Sequence, residues 1–561
     1  MEYSYLVKYY EKLGNTAKRL EKVEILSKLF KEANSEELSL IVYLIQGTVF
    51  PEWDERKIGF SSRLILKAIN AVTGVNTNDV ENLWKTKGDL GLVVEELIKT
   101  KKQTTLVSRS LDVKKVFDNI RKLAELEGEG TVNKKIQLVS ELLGNSKPIE
   151  AKFIVRTILE ELRVGVKEGV IRDAISKAFD IEVKEIEDAF NLTVDYGEIA
   201  TLAKQNKLKD VKIKVGKPLK LMLAVLVKNI AESFEALGKP IQAEFKLDGF
   251  RVSIHKDKND NVKLFTRRME EVTKQFPDVA SIIKNYVNAK EFIIDCEVVG
   301  IDLKNGRYLP FQTISQRIRR KYDIEKTSKE FPVEVNIFDI LYYDGTNLMN
   351  WPLNERRLML EKIVKEKKGK VVLTTKLVSD NEKAINFFFK ESLKAGNEGL
   401  MLKNVNSEYI PGRYVNGWCK FKNVLEPLDL VIVGADFGEG KRAGVLSSFI
   451  VACKNGNKFL ECGMVSTGLK EIENENGVTY EEMTRLLKPL IISQEGRRVY
   501  VKPKIIIEVG YEEIQKSPTY NSGFALRFPR FLQLRINDKP LDEINTIKTL
   551  EKVYQMQRGK K

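Results

Sequence analysis

The chain has 561 residues, 43% of them hydrophobic, with 94 Lys and Arg against 79 Asp and Glu and a formal net charge of +15. That length suits about three domains at roughly 100–200 residues each, and the basic excess fits a polyanionic partner as well as plain solubility. A single histidine, His255, argues against a histidine triad or histidine metal cluster, four cysteines without a CxxC pair argue against a zinc site, and no apolar run reaches the roughly 20 residues that span a bilayer.

The N-terminus, MEYSYLVKYYEKLG, is amphipathic and lacks a signal-peptide core. From there to about residue 210 the chain reads as successive helices. Apolar positions recur at helical spacing in EAKFIVRTILEELRVGV and VIRDAISKAFDIEVKEIEDAF. A basic stretch, Lys99 to Lys102, lies between helices, and GEGTVNKK, Gly128 to Lys135, reads as a loop feeding a helix.

Near residue 215 the period changes to two. IQAEFK, RVSIH, VKLFT, FIIDCEVVG and VEVNIFDILYYDG alternate as strands do, and Asp344-Gly345 marks a turn. NERRLMLEKIVKEKK and NEKAINFFFKESLKAG read as intervening helices, giving a mixed α+β domain. After Glu426-Pro427, LDLVIVGADFG, SSFIVACK, KFLECGMV and KIIIEVGYEEIQ are short strands with glycine-rich turns, the pattern of a small barrel. PLDEINTIKTLEKVYQMQRGKK closes the chain as a helix with a basic tail. The expected architecture is therefore multi-domain: all-α over 1–212, α+β over 213–425, and a β-barrel with a C-terminal helix over 426–561. Cys296 and Cys419 sit inside apolar strand-like runs and read as buried thiols of a reducing compartment.

The segment EFKLDGFRVSIH carries the first chemical signal. On a strand, Glu244 and Lys246 share a face, Asp248-Gly249 turns the chain, and Arg251 follows. A surface ion pair would explain these charges. A nucleophilic lysine would also explain them, because neighbouring cations and desolvation lower a lysine pKa. Candidate cations are Arg251, Arg267 in LFTRR, and Lys420 with Lys422 in WCKFK; the last two share a strand face and also suit phosphates. Glu297 in FIIDCEVVG, with Asp295 on its face, and Glu398 in NEGLMLK are carboxylates in apolar surroundings. Such groups are paired or bound to metal, and both a Mg²⁺ site and a buried salt bridge to the lysines fit. Phe338 in NIFDILYYDG is either a core residue or a face for stacking on a base. ADFGEGKRAG contains Asp-Phe-Gly, but no kinase catalytic loop accompanies it and no Walker A loop occurs.

In the order KLDG, FTRR, DCEVVG, NIFDILYYDG, EGLMLK, WCKFK and RFPR, these segments resemble the nucleotidyltransferase motifs of ATP-dependent DNA ligases. KxDG alone is shared with RNA ligases and capping enzymes; the ordered set is far more specific. GEGTVNKK and LRVGVKEGVIRDAI resemble the helical DNA-binding domain of the archaeal and eukaryotic replicative enzymes, so the resemblance covers nearly the whole chain, and its length and domain order point to the archaeal ones.

The resemblance implies a helical DNA-binding domain, a nucleotidyltransferase domain and an OB-fold domain over the three regions above. It implies that Lys246 attacks the α-phosphate of ATP and carries AMP, that Glu244 reads the adenine edge, and that Arg251 and Arg267 contact ribose and phosphate. Glu297 and Glu398 resemble the carboxylates that bind ribose and catalytic Mg²⁺, with Mn²⁺ as an alternative. Phe338 resembles the adenine-stacking aromatic, Lys420 and Lys422 the phosphate-binding lysines, and Arg527 and Arg530 the arginines that act on leaving pyrophosphate. Two departures stand out. Tyr414 holds the place, six positions before Lys420, where relatives carry an arginine, and Arg413 substitutes after a one-residue shift. The segment matching the sliding-clamp motif of relatives, QTTLV at Gln103 to Val107, has no aromatic residue, which implies weak clamp binding or none. The expected protein is a cytoplasmic, nucleoid-associated monomer that seals nicked duplex DNA in replication, repair and recombination. The alternatives are an RNA ligase or capping-type nucleotidyltransferase, against which the large helical domain argues; an NAD-dependent ligase, against which the missing zinc cysteines argue; and a non-enzymatic basic DNA-binding protein.

Overall fold

A computed structural model describes every residue except 55, 101–109, 127, 129, 319, 321, 414–415, 423–424, 439–441, 443, 472–476, 536–537 and 558–561. The segment Gln103 to Val107, Tyr414 and the last residues of the basic tail thus lie outside the described residues. The chain divides into two compact units, one of Met1–Glu382 with Met401–Lys420, the other of Lys383–Leu400 with Phe421–Lys561.

In the first unit, α-helices run from Tyr3–Gly14 to Tyr196–Lys204 with no strand longer than an isolated bridge among the described residues. Their apolar stripes meet in one core that includes Leu6, Tyr10, Phe30, Ile41, Val116, Ile154 and Ile175. Polar residues fix the helix ends. Asp89 accepts from the backbone N–H of Gly91 at 2.7 Å, capping Leu90–Lys99, and also binds Arg156 at 2.7 Å. Asp195 caps Tyr196–Lys204 and receives the Tyr43 hydroxyl at 2.7 Å. Gly197 makes that approach feasible, since a Cβ there would stand 2.6 Å from Tyr43 Cζ.

The two segments with helical spacing are helical, but each is interrupted. EAKFIVRTILEELRVGV is helical only through Pro148–Ile158, because Glu160 and Arg163 adopt positive φ of 57° and 59°. VIRDAISKAFDIEVKEIEDAF is two helices, Glu168–Phe179 and Val183–Thr193, separated at Asp180 with φ 55°. GEGTVNKK does feed a helix, Thr131–Asn145. Among the described residues no helix is long and apolar enough to cross a membrane.

Beyond the helices the chain forms two main sheets before Leu428. In one, strands Val371–Leu373, Val333–Tyr343, Phe292–Asp302, Phe250–Lys256 and Val262–Thr266 lie in that order, with two short strands alongside. All pairs along it are antiparallel except the first, which is parallel. In the other, Lys376–Ser379, Ile241–Lys246, Gly399–Asn404, Trp418–Lys422 and Val225–Leu226 are neighbours in that order. Val252, Ile294, Val298, Val335 and Ile337 fill one face of the first sheet. Ile293 and Leu341, pointing the other way, pack with Met222, Tyr409 and Trp418. His255 is structural. Gly216 N–H donates to its Nδ1 at 3.2 Å, and Nε2 meets Ser253 Oγ at 2.8 Å. Burial, with Lys263 nearby, lowers its pKa to about 3, so the ring is a neutral acceptor for the segment joining the helices to the sheets.

Helix Leu353–Ile363 is bolted to strand Val333–Tyr343 by Arg356 and Asp339, whose side chains are fully buried and paired at 2.7 and 2.9 Å. Arg356 Nη1 also donates to Ser407 O at 3.0 Å and to Trp351 O. Removing one member of a buried pair strands the other charge, at a cost of about 3–5 kcal/mol. Arg356→Ala is therefore expected to lower the thermal unfolding midpoint clearly. Lys184→Ala, which breaks the exposed pair with Asp188, should not shift it measurably. Equal midpoints for the two variants would contradict this account of the pair.

In the second unit, strand Leu428–Phe437 pairs with Leu446–Asn455 on one side, and on the other with Arg498–Val501 and Ile506–Gly510 along different parts of its length. Lys458–Val465, Ile491–Glu495 and Arg530–Leu534 extend the sheet, and Glu513–Lys516 forms a separate pair with Phe524–Arg527. Leu430, Phe449, Val451, Cys453, Cys462, Ile507 and Val509 form the core. KIIIEVGYEEIQ is therefore two strands, not one. The C-terminal segment is helical over Ile547–Met556 and buries Leu550. All four cysteines are buried free thiols.

Candidate active site

Strand Ile241–Lys246 sets Gln242, Glu244 and Lys246 on one face, as its period requires. Glu244 is buried and heavily bonded. Oε1 accepts from Gln242 Nε2 at 2.6 Å, and Oε2 accepts from Thr374 Oγ1 at 3.0 Å and from Lys403 Nζ at 2.8 Å. Thr374 is held in turn by Arg357, which donates to its hydroxyl at 3.1 Å and to its carbonyl at 2.9 Å. Lys246 ends the strand half-buried, just before the Asp248-Gly249 turn. Glycine is required in that turn for space: a Cβ on Gly249 would run into the Val298 carbonyl oxygen.

The facing strands add a second cluster. Arg251 Nε and Nη2 clasp Asp295 at 2.9 and 2.5 Å, Nη1 donates to Met222 O at 2.6 Å, and Nη2 meets the Tyr409 hydroxyl at 3.1 Å. Burial opposes the guanidinium charge, but Asp295, together with Tyr409 and Glu297, outweighs it and holds the pKa above the ordinary arginine value. Tyr409 also donates to Asp295, at 2.7 Å; burial, then the Asp295 charge, pushes its pKa well up. Glu297 lies opposite Arg251 in strand register and is half-buried. Phe338, half-buried, packs edge-on against Trp418 at 5.9 Å, with Arg251 5.5 Å and Lys403 4.7 Å from its ring centre. Glu244, Arg251 and Phe338 are thus linked through Lys403 and Trp418.

The other expected residues lie on further strands and turns. Lys420 follows Trp418 on the same face of strand Trp418–Lys422 and is half-buried. Arg267 is exposed in the turn after Val262–Thr266. Arg413 lies in a two-residue strand, Gly412–Arg413, parallel to Met222–Leu223; nothing of its side chain is described. In the second unit, Glu398 pairs with Lys422 at 2.9 Å, and Lys422 also approaches Glu512 at 3.5 Å. The salt-bridge reading of Glu398 therefore applies to the protein as it stands. Arg527 pairs with Glu513 at 3.3 Å, and Arg530 is exposed. RFPR forms the ends of two strands, Phe524–Arg527 and Arg530–Leu534, broken where Phe528 takes φ 49° and Pro529 has no N–H to pair.

Sequence reasoning missed Gln242, Thr374, Lys403, Tyr409 and Trp418 as members of the site. A signal existed for Lys403, a lysine closing the apolar strand EGLMLK, and for Gln242, two residues before Glu244. Nothing local marks Thr374 or Tyr409, which arrive from distant segments.

A strand ending in a lysine, a carboxylate held by three donors and an aromatic flanked by cations form a site suited to a nucleotide. Comparison with known proteins identifies the family. Residues 221–422 match the model described as "ATP dependent DNA ligase domain", residues 2–176 "DNA ligase N terminus", and residues 442–539 "ATP dependent DNA ligase C terminal region". The DNA ligase of Nanoarchaeum equitans is 46% identical, covering 100% of this chain and 99% of its own. That of Thermococcus onnurineus is 40% identical, covering 99% and 98%. The solved structure titled Pmar-Lig_PreS3 shares the fold at TM-score 0.57 and 17% identity, over 94% of this chain and 99% of that one. The chain belongs to the ATP-dependent DNA ligases, of archaeal type, with the N-terminal, nucleotidyltransferase and C-terminal regions of that family. It is an enzyme that uses ATP to seal nicks in DNA through a lysine–AMP intermediate.

Proposed function

We propose that Lys246 is the residue that carries AMP. The observation behind this is the strand Ile241–Lys246, which places a half-buried lysine two residues from a carboxylate held by three donors. In the first step Lys246 Nζ bonds to the α-phosphorus of ATP, the bond to pyrophosphate breaks, and the amine loses a proton. In the second the P–N bond breaks as AMP passes to the 5′-phosphate of a nick. In the third the 3′-hydroxyl attacks that phosphate and AMP leaves. Little covalent work falls to the protein beyond the lysine; positioning and charge neutralisation dominate.

In this reading Glu244 accepts from the adenine edge, Phe338 stacks on the base, and Arg251, Arg267 and Arg413 face ribose and phosphate. Lys420 and Lys422 neutralise the α-phosphate, and Arg527 and Arg530 the departing pyrophosphate. Glu297 and Glu398 are each hard oxygen donors of the kind Mg²⁺ takes, since Mg²⁺ is commonly held by one or two carboxylates plus substrate phosphates. For Glu398 this requires exchange of its contact with Lys422. When bound, the ion would screen phosphate charge, with Mn²⁺ as a substitute.

The proposed division of labour is a helical DNA-binding domain over 1–212, an adenylation domain over 213–425 and an OB-fold domain over 426–561. The protein would act as a monomer in the cytoplasm on nicked duplex DNA, through backbone contacts and without sequence readout; QTTLV gives the sliding clamp little to hold. The test is sealing of a labelled nicked duplex. Product is expected with ATP and Mg²⁺, none with NAD, and none when the metal is chelated. Sealing with NAD alone, or undiminished sealing in chelator, would contradict the reading.

A further inference from the structure

Lys403 lies on the interior strand Gly399–Asn404 and is only 1% exposed. Its ammonium reaches Glu244 Oε2 at 2.8 Å and stands 4.7 Å from the Phe338 ring centre and 4.5 Å from that of Trp418. A buried charge pair of this kind persists only when both members are well satisfied. Here every hydrogen-bonding neighbour of Glu244 donates to it: the amide of Gln242, the hydroxyl of Thr374 and the ammonium of Lys403. A carboxylate offers about four acceptor positions. Three donors leave one, on Oε1, so the carboxylate is surrounded by donors and has only an acceptor position to offer.

An acceptor fixed in this way discriminates between purines. A 6-aminopurine presents an N–H to it, whereas a 6-oxopurine presents a second acceptor there and leaves its own O6 and the open position on Oε1 without a donor between them. Sites built to receive a particular donor reject the analogue lacking it strongly. We propose that Lys403 is a positioning residue that locks Glu244 as an acceptor for the C6 amino group of the nucleobase and so sets the preference for ATP over 6-oxopurine nucleotides. This rests on the assignment of Glu244 to the base edge. Without the ammonium, Glu244 is a buried carboxylate lacking its counter-charge and one of its three donors; it relieves that cost by turning away, and the discrimination falls.

The experiment measures self-nucleotidylation of the full-length enzyme with ATP and with inosine triphosphate, the adducts being separated by mass. The expected result for Lys403→Met is a fall of at least about 10-fold in the ATP preference, on the scale of one charge-assisted hydrogen bond. It should come from a raised KM for ATP, with that for inosine triphosphate no higher. Lys403→Arg, which keeps a charged donor, should restore most of the preference. An undiminished preference in Lys403→Met, or parallel losses on both nucleotides, overturns the proposal. Should Lys403→Met fold poorly by circular dichroism, Lys403→Gln carries the test, since it keeps a donor without the charge. A drop of at least about 3-fold in its preference is expected, and no drop overturns the proposal. Glu244→Gln separates the two levels. If the preference survives that change, the base-edge assignment of Glu244 itself fails. If it collapses there but persists in Lys403→Met, only the role of Lys403 fails.

Discussion

Lys246→Ala is expected to abolish the enzyme–AMP adduct and to lower sealing of an ordinary nick by at least about 10³-fold, the scale on which removing a covalent nucleophile lowers turnover. Binding to nicked DNA should change little, because a ligase holds duplex through many phosphate contacts and Lys246 contributes no more than one of them. The melting temperature should also hold. Lys246 is half-buried at the end of its strand, and the stabilising polar network centres on Glu244, with Gln242, Thr374 and Lys403. Gel-shift titration, thermal melting and labelling with radioactive ATP check the three statements. A variant that still forms the adduct on another lysine would remove Lys246 from its assigned role.

The second large effect is expected from the double variant Arg527→Ala/Arg530→Ala. If these cations neutralise pyrophosphate as it leaves, they serve the first step and little of the third. The variant should lose about 10²-fold or more with ATP and an ordinary nick, as expected when a donor aimed at developing charge is removed. A nick already carrying 5′-AMP bypasses self-adenylation and should still be sealed at close to the wild-type rate. The contact between Arg527 and Glu513 at 3.3 Å supplies the competing structural role. If that contact is what matters, both substrates should suffer equally and the melting temperature should fall. Arg530, exposed at the start of its strand, separates the cases: Arg530→Ala alone should impair the first step without altering the melt.

The sequence made some of this legible and hid the rest for physical reasons. Alternation marks a strand wherever one face differs from the other, so the face shared by Glu244 and Lys246 and the run containing Phe338 could be read directly. Periodicity is blind to backbone dihedrals, which is why helical spacing continues past Ile158, where the helix ends, and why nothing in the sequence marked the positive φ of Phe528. The partners of Glu244 were hidden for another reason. Lys403 comes from 159 residues away and Thr374 from 130, so no local pattern connects them. Lys403 also sits in an interior strand, where apolar residues occupy both faces and a charge looks out of place until its partner is known. Arg251 was legible as a cation but not as a paired one, since its fourfold anchoring to Asp295, Met222 and Tyr409 depends on the pairing of three separate segments. The motif order, by contrast, needed no geometry and pointed to the family correctly.

The site of AMP attachment tests the central claim most directly. The wild-type enzyme is incubated with ATP and Mg²⁺ in the absence of DNA, digested under conditions that preserve the acid-labile phosphoramidate, and sequenced by fragmentation mass spectrometry. The account predicts a single AMP, lost on addition of pyrophosphate or nicked DNA, on the peptide containing Lys246 and at that residue. AMP on any other side chain, or a chain that seals nicks with no covalent AMP at all, would contradict it.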